Sequence, residues 1–194
     1  MRIIASLTAL LALPLSGLTE QRFEFAAFEI PPSGRIVVPV AEGESLSGVA
    51  AQIDQRTNGA LTAAATEAGF SGESGATLTT YGVAPYSRID LIGVGAETVT
   101  RADAENFGGT ASAALSGTEG GSVQILWDVA SADAEATAAR VAFGYLLRSY
   151  RFDRHQADKV DSATLPVVRL LSNDNSAASF NDDLVHLASG VYFA

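Results

Sequence analysis

Apolar residues recur along this chain at two spacings, and the alternation between those spacings lays out the fold. Arg22 to Phe28 alternates, with Phe23, Phe25 and Ala27 on one face, and predicts a strand. Pro31-Pro32-Ser33-Gly34 breaks it. Arg35 to Val40 is a β-branched run and predicts a buried strand, with Pro39 marking its exit because proline cannot donate to the ladder. Leu46, Val49, Ala50 and Ile53 then fall at helical spacing, in a helix expected to open at Ser45 and stop at Asn58-Gly59. A second, alanine-rich helix is expected from Ala60 to Ala68, ending at Gly69.

Phe70 to Gly75 reads as a loop. Thr77 to Tyr81 and Ser87 to Val94 read as strands joined with hairpin spacing. Thr100 with Asp103 three residues later is a capping-box pair for a helix that carries Ala104, Phe107, Ala111, Ala114 and Leu115 and ends at Gly117. Ser122 to Trp127 is the next strand. A helix follows, with Asp133 and Glu135 in its first turn and Arg148 in its last. One stripe on it is Ala134, Ala138, Val141, Ala142, Tyr145 and Leu146. A second is Phe143, Leu147 and Tyr150, so burial on two sides is expected. A polar link, Asp153 to Thr164, leads to strand Leu165–Leu171 and a polar turn. A last helix from about Ala177 then sets Phe180, Leu184, Leu187 and Val191 in register.

Interleaved strands and helices predict a three-layer α/β domain, and the hairpin makes its sheet mixed. The 194 residues suit one domain of ordinary size, and 47% apolar residues suffice for a sizeable core. The formal net charge of -10 and a single lysine, Lys159, argue against nucleic acid, which demands clustered Lys and Arg. Absence of cysteine excludes disulfides, thiolate nucleophiles and cysteine-ligated zinc. Residues 1–20 stand outside the predicted fold. Arg2 before the apolar run Ile3–Leu15 has the form of a secretory signal, and an upstream extension fits equally well. The run is too short to span a bilayer.

Four segments in order carry a family resemblance. Gly69-Phe70-Ser71-Gly72-Glu73-Ser74-Gly75 resembles a G-F-x-G-x-x-G turn, and Arg88 to Gly95 resembles a strand ending in G-x-G. Residues 140–155, with Gly144, Leu147, Tyr150, Phe152 and Asp153, resemble a G-x-x-L-x-x-Y-x-F-D helix end, and Ser189 to Ala194 resembles the start of an interdomain linker. Together they are similar to the N-terminal domain of the leucyl aminopeptidases, peptidase family M17, over about residues 22–194. Asp90 departs from the pattern, at a strand position that is usually apolar.

The resemblance implies a macro-domain-like fold without catalytic residues. It divides the chain into a leader or extension (1–20), a macro-like domain (21–176) and the start of a linker helix (177–194). The parent activity it implies is release of N-terminal amino acids from peptides. Two divalent ions, zinc or manganese, would sit in a catalytic domain expected beyond Ala194, and the whole would assemble as a hexamer. Tyr192 and Phe193 would then contact that following domain. The implied location is cytoplasmic, or exported if residues 1–17 act as a signal. A free-standing macro-like module binding a nucleotide or ADP-ribose is the alternative.

No constellation makes a site by sequence alone. Asp182-Asp183-x-x-His186 has helical ligand spacing but lacks a third converging group, and reads as first-turn acids on a helix. Gly93-Val94-Gly95 precedes a capped helix, as a phosphate cradle would, but Thr98 stands where a third glycine is needed. It reads as a tight turn. His155 and His186 have no nucleophile elbow beside them. Arg148, Arg151 and Arg154 suit ion pairs across a contact. No catalytic, cofactor or metal residue is therefore assigned to this chain.

Overall fold

The computed structural model describes residues 23–43, 45–132, 137–149 and 165–174. Its elements are β1 (Phe23–Ala27), β2 (Gly34–Ala41), α1 (Gly48–Arg56), α2 (Ala60–Ala68), β3 (Thr77–Tyr81), β4 (Tyr86–Gly95), β5 (Thr98–Val99), α3 (Arg101–Ala114), β6 (Ser122–Trp127), β7 (Ala130–Ser131), α4 (Ala138–Ser149) and β8 (Val167–Ser172). Six strands form one sheet in the order β1-β8-β6-β2-β4-β3. All its pairings are parallel except the β3–β4 hairpin, so the sheet is mixed.

Alternation along each strand splits the core in two. Ile36, Val38, Ile89, Leu91, Leu126 and Leu171 point to one side, where Val49, Ala50, Ile53 and Leu61 of α1 and α2 cover them. Val37, Ile92, Val123, Ile125, Trp127, Val168 and Leu170 point to the other, under Phe107 and Ala111 of α3 and Val141 and Tyr145 of α4. This is the three-layer α/β arrangement that the two spacings predict.

The stops of α1 and α2 work as predicted, while α3 ends at Ala114, short of Gly117. Asn58 and Gly59 both take left-handed dihedrals, at φ 55 and 82, and Gly69 ends α2 at φ 63. The Thr100–Asp103 capping box is formed in both directions.

Several local expectations are corrected. Ser45 does not open α1. Ser47 occupies the cap position, because Gly48 at φ 55 sets the turn into the helix. Pro39 does not end β2, which runs on to Ala41. Pairing with β6 ends at Val37, while pairing with β4 continues through Pro39. The proline therefore sits where one neighbour has departed and a missing amide proton costs nothing. On α4, Phe143 and Leu147 are only half-buried, so the second stripe is not covered as the first is. The pair β5 and β7 forms a separate two-stranded parallel sheet that two residues of alternation could not announce. Asp133, Glu135, Tyr150, the 153–164 link and the last helix with Phe180, Leu184, Leu187, Val191, Tyr192 and Phe193 lie outside the described residues.

Candidate functional site

In an open α/β sheet, ligands settle beyond the carboxyl ends of the parallel strands. Here that edge is partly filled by the protein's own chain. The Gly93 amide donates to the Ala76 carbonyl at 2.8 Å and the Gly95 amide to the Gly72 carbonyl at 3.0 Å. Gly75 in turn donates to the Gly93 carbonyl at 3.0 Å. The 70–75 loop thus lies directly on the end of β4. A Cβ on Gly93 would strike the Glu73 and Gly72 carbonyls, and one on Gly72 would strike the Ala41 carbonyl. Gly72 and Gly93 are there so that two backbones can touch, whereas Gly69, Gly75 and Gly95 serve the turn through their positive φ. The amides that would cradle a phosphate are already engaged.

Two helix N-termini at this edge, those of α3 and α4, are engaged too, while Ser47 at the start of α1 makes no side-chain cap. Asp103 accepts from the Thr100 amide at 2.9 Å and brings its own negative charge to the start of α3. Asp174, just past β8, accepts from the Thr137 amide at 3.0 Å and the Ala138 amide at 2.8 Å. A carboxylate from the far end of the described chain therefore caps α4. Trp127 adds a hydrogen bond from its indole nitrogen to Thr137 at 2.9 Å, which fixes the same turn. A cavity of about 250 Å³ remains between the ends of β2 and α2, lined by Leu46, Thr62, Ala65, Thr66 and Phe70 among others.

The opposite edge of the sheet carries the charged groups. Arg88 and Asp90 lie two apart on β4, hence on one face. Arg88 Nε meets Asp90 Oδ2 at 2.8 Å, and Nη2 meets Oδ1 at 2.9 Å. Asp90 is 1% exposed and also accepts from the Thr79 hydroxyl at 2.6 Å. Asp90, at a position that is usually apolar, is thus buried with its charge paired. Arg88 continues to the Ala114 carbonyl at 2.7 Å and the Thr118 hydroxyl at 2.9 Å, tying the end of α3 to the sheet. Arg35 bonds the carbonyls of Glu119, Gly120 and Ser122.

Of the candidate residues, Arg148 is exposed at the end of α4, and Gly93 and Gly95 form the filled turn. His155, Arg151, Arg154, Asp182, Asp183 and His186 lie outside the described residues. Among the described residues there is no group of three or more His, Cys, Asp or Glu able to hold a metal ion. Nor is any described helix long and apolar enough to cross a membrane. Sequence reading missed the Arg35–Arg88 cluster. The Arg-x-Asp spacing on a predicted strand was the available signal.

The mixed sheet between two helix layers, with a glycine loop packed on the end of its hairpin strand, defines a non-Rossmann α/β domain whose usual ligand edge is partly filled by its own chain. The chain belongs to the cytosol aminopeptidase family: residues 37–159 match the model of that family's N-terminal domain. It is 30% identical over 179 residues to a probable cytosol aminopeptidase of Chelativorans sp., covering 88% of this chain and 35% of that protein. A probable cytosol aminopeptidase of Caulobacter vibrioides is 31% identical over 182 residues, covering 89% of this chain and 36% of the other. The chain therefore spans about a third of the length of these curated relatives. Among solved structures, a point mutant of tomato leucine aminopeptidase superposes with TM-score 0.71 at 20% identity, over 91% of this chain and 38% of that one. The bottromycin maturation enzyme BotP gives TM-score 0.52 at 14% identity, over 78% of this chain and 30% of its own. These two likenesses concern the fold.

Proposed function

We propose that this chain is the non-catalytic N-terminal domain of a metal-dependent aminopeptidase. The observation that carries the reading is the match of residues 37–159 to that domain of the family. The parent activity would be release of N-terminal amino acids from peptides, with two zinc or manganese ions held by a separate catalytic domain. That domain and the other subunits of a hexamer would be its partners, and the cytoplasm its location. The engaged amides of Gly93 and Gly95 and the two capped helix N-termini weigh against the nucleotide-binding alternative. The test is hydrolysis of leucine p-nitroanilide with manganese or zinc added. The 194-residue chain alone should give no turnover, and the chain joined to a catalytic domain of the family should give metal-dependent turnover. Metal-dependent hydrolysis by a clean preparation of the chain alone would refute the reading.

A further inference from the structure

Arg35, Tyr81, Ser87, Arg88, Ser116 and Thr118 line a cleft of about 460 Å³ at the amino ends of β2 and β4. The cleft is open rather than enclosed, so a ligand there would keep part of its surface in water. Its two cations are not equivalent. Arg88 has a 13% exposed side chain and is neutralised by Asp90. Arg35 meets only carbonyl dipoles among the described residues, so its charge is answered by no described carboxylate. The cleft thus carries an uncompensated positive charge in a chain whose formal net charge is -10.

Donors remain as well. A guanidinium has five N–H groups. Arg35 uses one on each of its three nitrogens, which leaves one on Nη1 and one on Nη2. Arg88 uses Nε, one on Nη1 and both on Nη2, which leaves one on Nη1. The anchoring carbonyls hold both planes in place, so binding need not order two long side chains. Tyr81 completes the wall. Its ring sits 5.5 Å from the Arg88 guanidinium carbon, and the residue is nevertheless 70% exposed, alone among the described large hydrophobic residues. Tyrosine and arginine together at a concave surface are the residue types that dominate binding energy.

We propose that this cleft binds a small organic anion, a carboxylate or phosphate carried on a planar group. The acidic head takes the free N–H groups of Arg35 and Arg88, and the planar group lies on the Tyr81 ring. The overall negative charge slows the approach of such a ligand and weakens it with distance. The contact itself is made at Arg35, within the screening length of about 8 Å. This site is at the opposite edge of the sheet from the glycine turn and stands apart from the aminopeptidase reading.

The experiment is an NMR titration of the full chain with phenyl phosphate and, separately, inorganic phosphate, at ionic strength held constant with sodium chloride. The Nε–Hε signals of Arg35 and Arg88 and the Tyr81 amide should shift saturably, with a dissociation constant of about 1 mM or tighter for phenyl phosphate. Inorganic phosphate should bind several-fold more weakly, for want of the ring. Arg35→Gln should weaken both by about tenfold. Tyr81→Ala removes an exposed ring and keeps the fold. It should bring phenyl phosphate down to the level of inorganic phosphate, and it decides the matter even if Arg35→Gln fails to fold. Shifts that grow linearly without saturating, that scatter over the surface, or that persist unchanged in Tyr81→Ala would overturn the proposal.

Discussion

Gly108 on α3 and Gly144 on α4 each let the backbone of the opposite helix come into contact. A Cβ on Gly108 would strike the Val141 carbonyl, and one on Gly144 would strike the Glu105 carbonyl, so each glycine makes room for the turn of helix opposite it. The two helices cross at this point, and Arg140 reaches Glu105 across it at 3.3 Å. Neither glycine has a left-handed dihedral. Close approach, not conformational freedom, accounts for both.

Gly108→Ala and Gly144→Ala should therefore each destabilise by about 1–3 kcal/mol or more, the usual cost of overpacking, despite the better helix propensity of alanine. Gly109 is the control. Its added Cβ would find its nearest neighbour at 3.8 Å, an ordinary contact. Gly109→Ala should stabilise by up to about 1 kcal/mol. Urea unfolding of the three variants reads the sign, and a stabilised Gly108→Ala would show that the crossing is looser than described.

Asp90 and Arg88 should be worth far more together than apart. Asp90→Ala leaves a nearly buried guanidinium without its carboxylate and should cost about 3–5 kcal/mol. Arg88→Met with Asp90→Leu should recover most of that loss, since an apolar pair of similar volume escapes the desolvation penalty. A double variant as unstable as the single one would mean that the bonds from Arg88 to Ala114 and Thr118 hold the end of α3 by themselves.

Asp174→Ala removes the carboxylate from the start of α4. It should lower stability by about 1–2 kcal/mol, the scale of a lost cap. Hydrogen exchange is the sharper measurement. The Thr137 and Ala138 amides should lose protection while those in β6 keep theirs, and unchanged exchange at both would dismiss the cap.

Burial pushes the Tyr145 phenol well above its ordinary value, and the residue is 2% exposed. A raised pKa means that the folded state keeps the proton after the unfolded chain has released it. The associated stability is fully present below about pH 10, the ordinary value for tyrosine, and falls as pH rises beyond it. Tyr145→Phe should flatten the decline in thermal midpoint between about pH 9 and 11 relative to the parent chain. Parallel declines in the two proteins would show that another group governs alkaline unfolding.

The elements read most accurately from sequence were those bounded by local chemistry. Thr77–Tyr81, Ser122–Trp127 and Ala60–Ala68 have the bounds their turn residues foretold. Gly59, Gly69, Gly82 and Gly121 all take positive φ at those borders. What escaped depends on distant partners. Nothing near Asp174 in sequence says that it will cap a helix whose first residue lies 36 positions earlier. Pro39 signals an end to pairing, but only the sheet order shows that the end applies to β6 and not β4. Arg35 reads as one more strand residue until the loop 85 positions on folds over it. Of the glycine turn, the sequence carried the tight geometry, and the structure added the neighbour that requires it.

The outermost strand on one side of the sheet is also the earliest described segment of the chain. Among the described residues β1 pairs only with β8, and Glu24 meets Arg169 at 2.9 Å across a separation of 145 residues. During synthesis, Phe23 and Phe25 leave the ribosome long before the strand that will receive them exists. Until then they are an unpaired apolar edge on a nascent chain, the kind of segment that chaperones hold and that aggregates when left free. Closing so long a loop is slow. The docking of β1 onto β8 should thus be the last step of folding, with the glycine-packed helices and the β2–β4–β6 centre assembled before it.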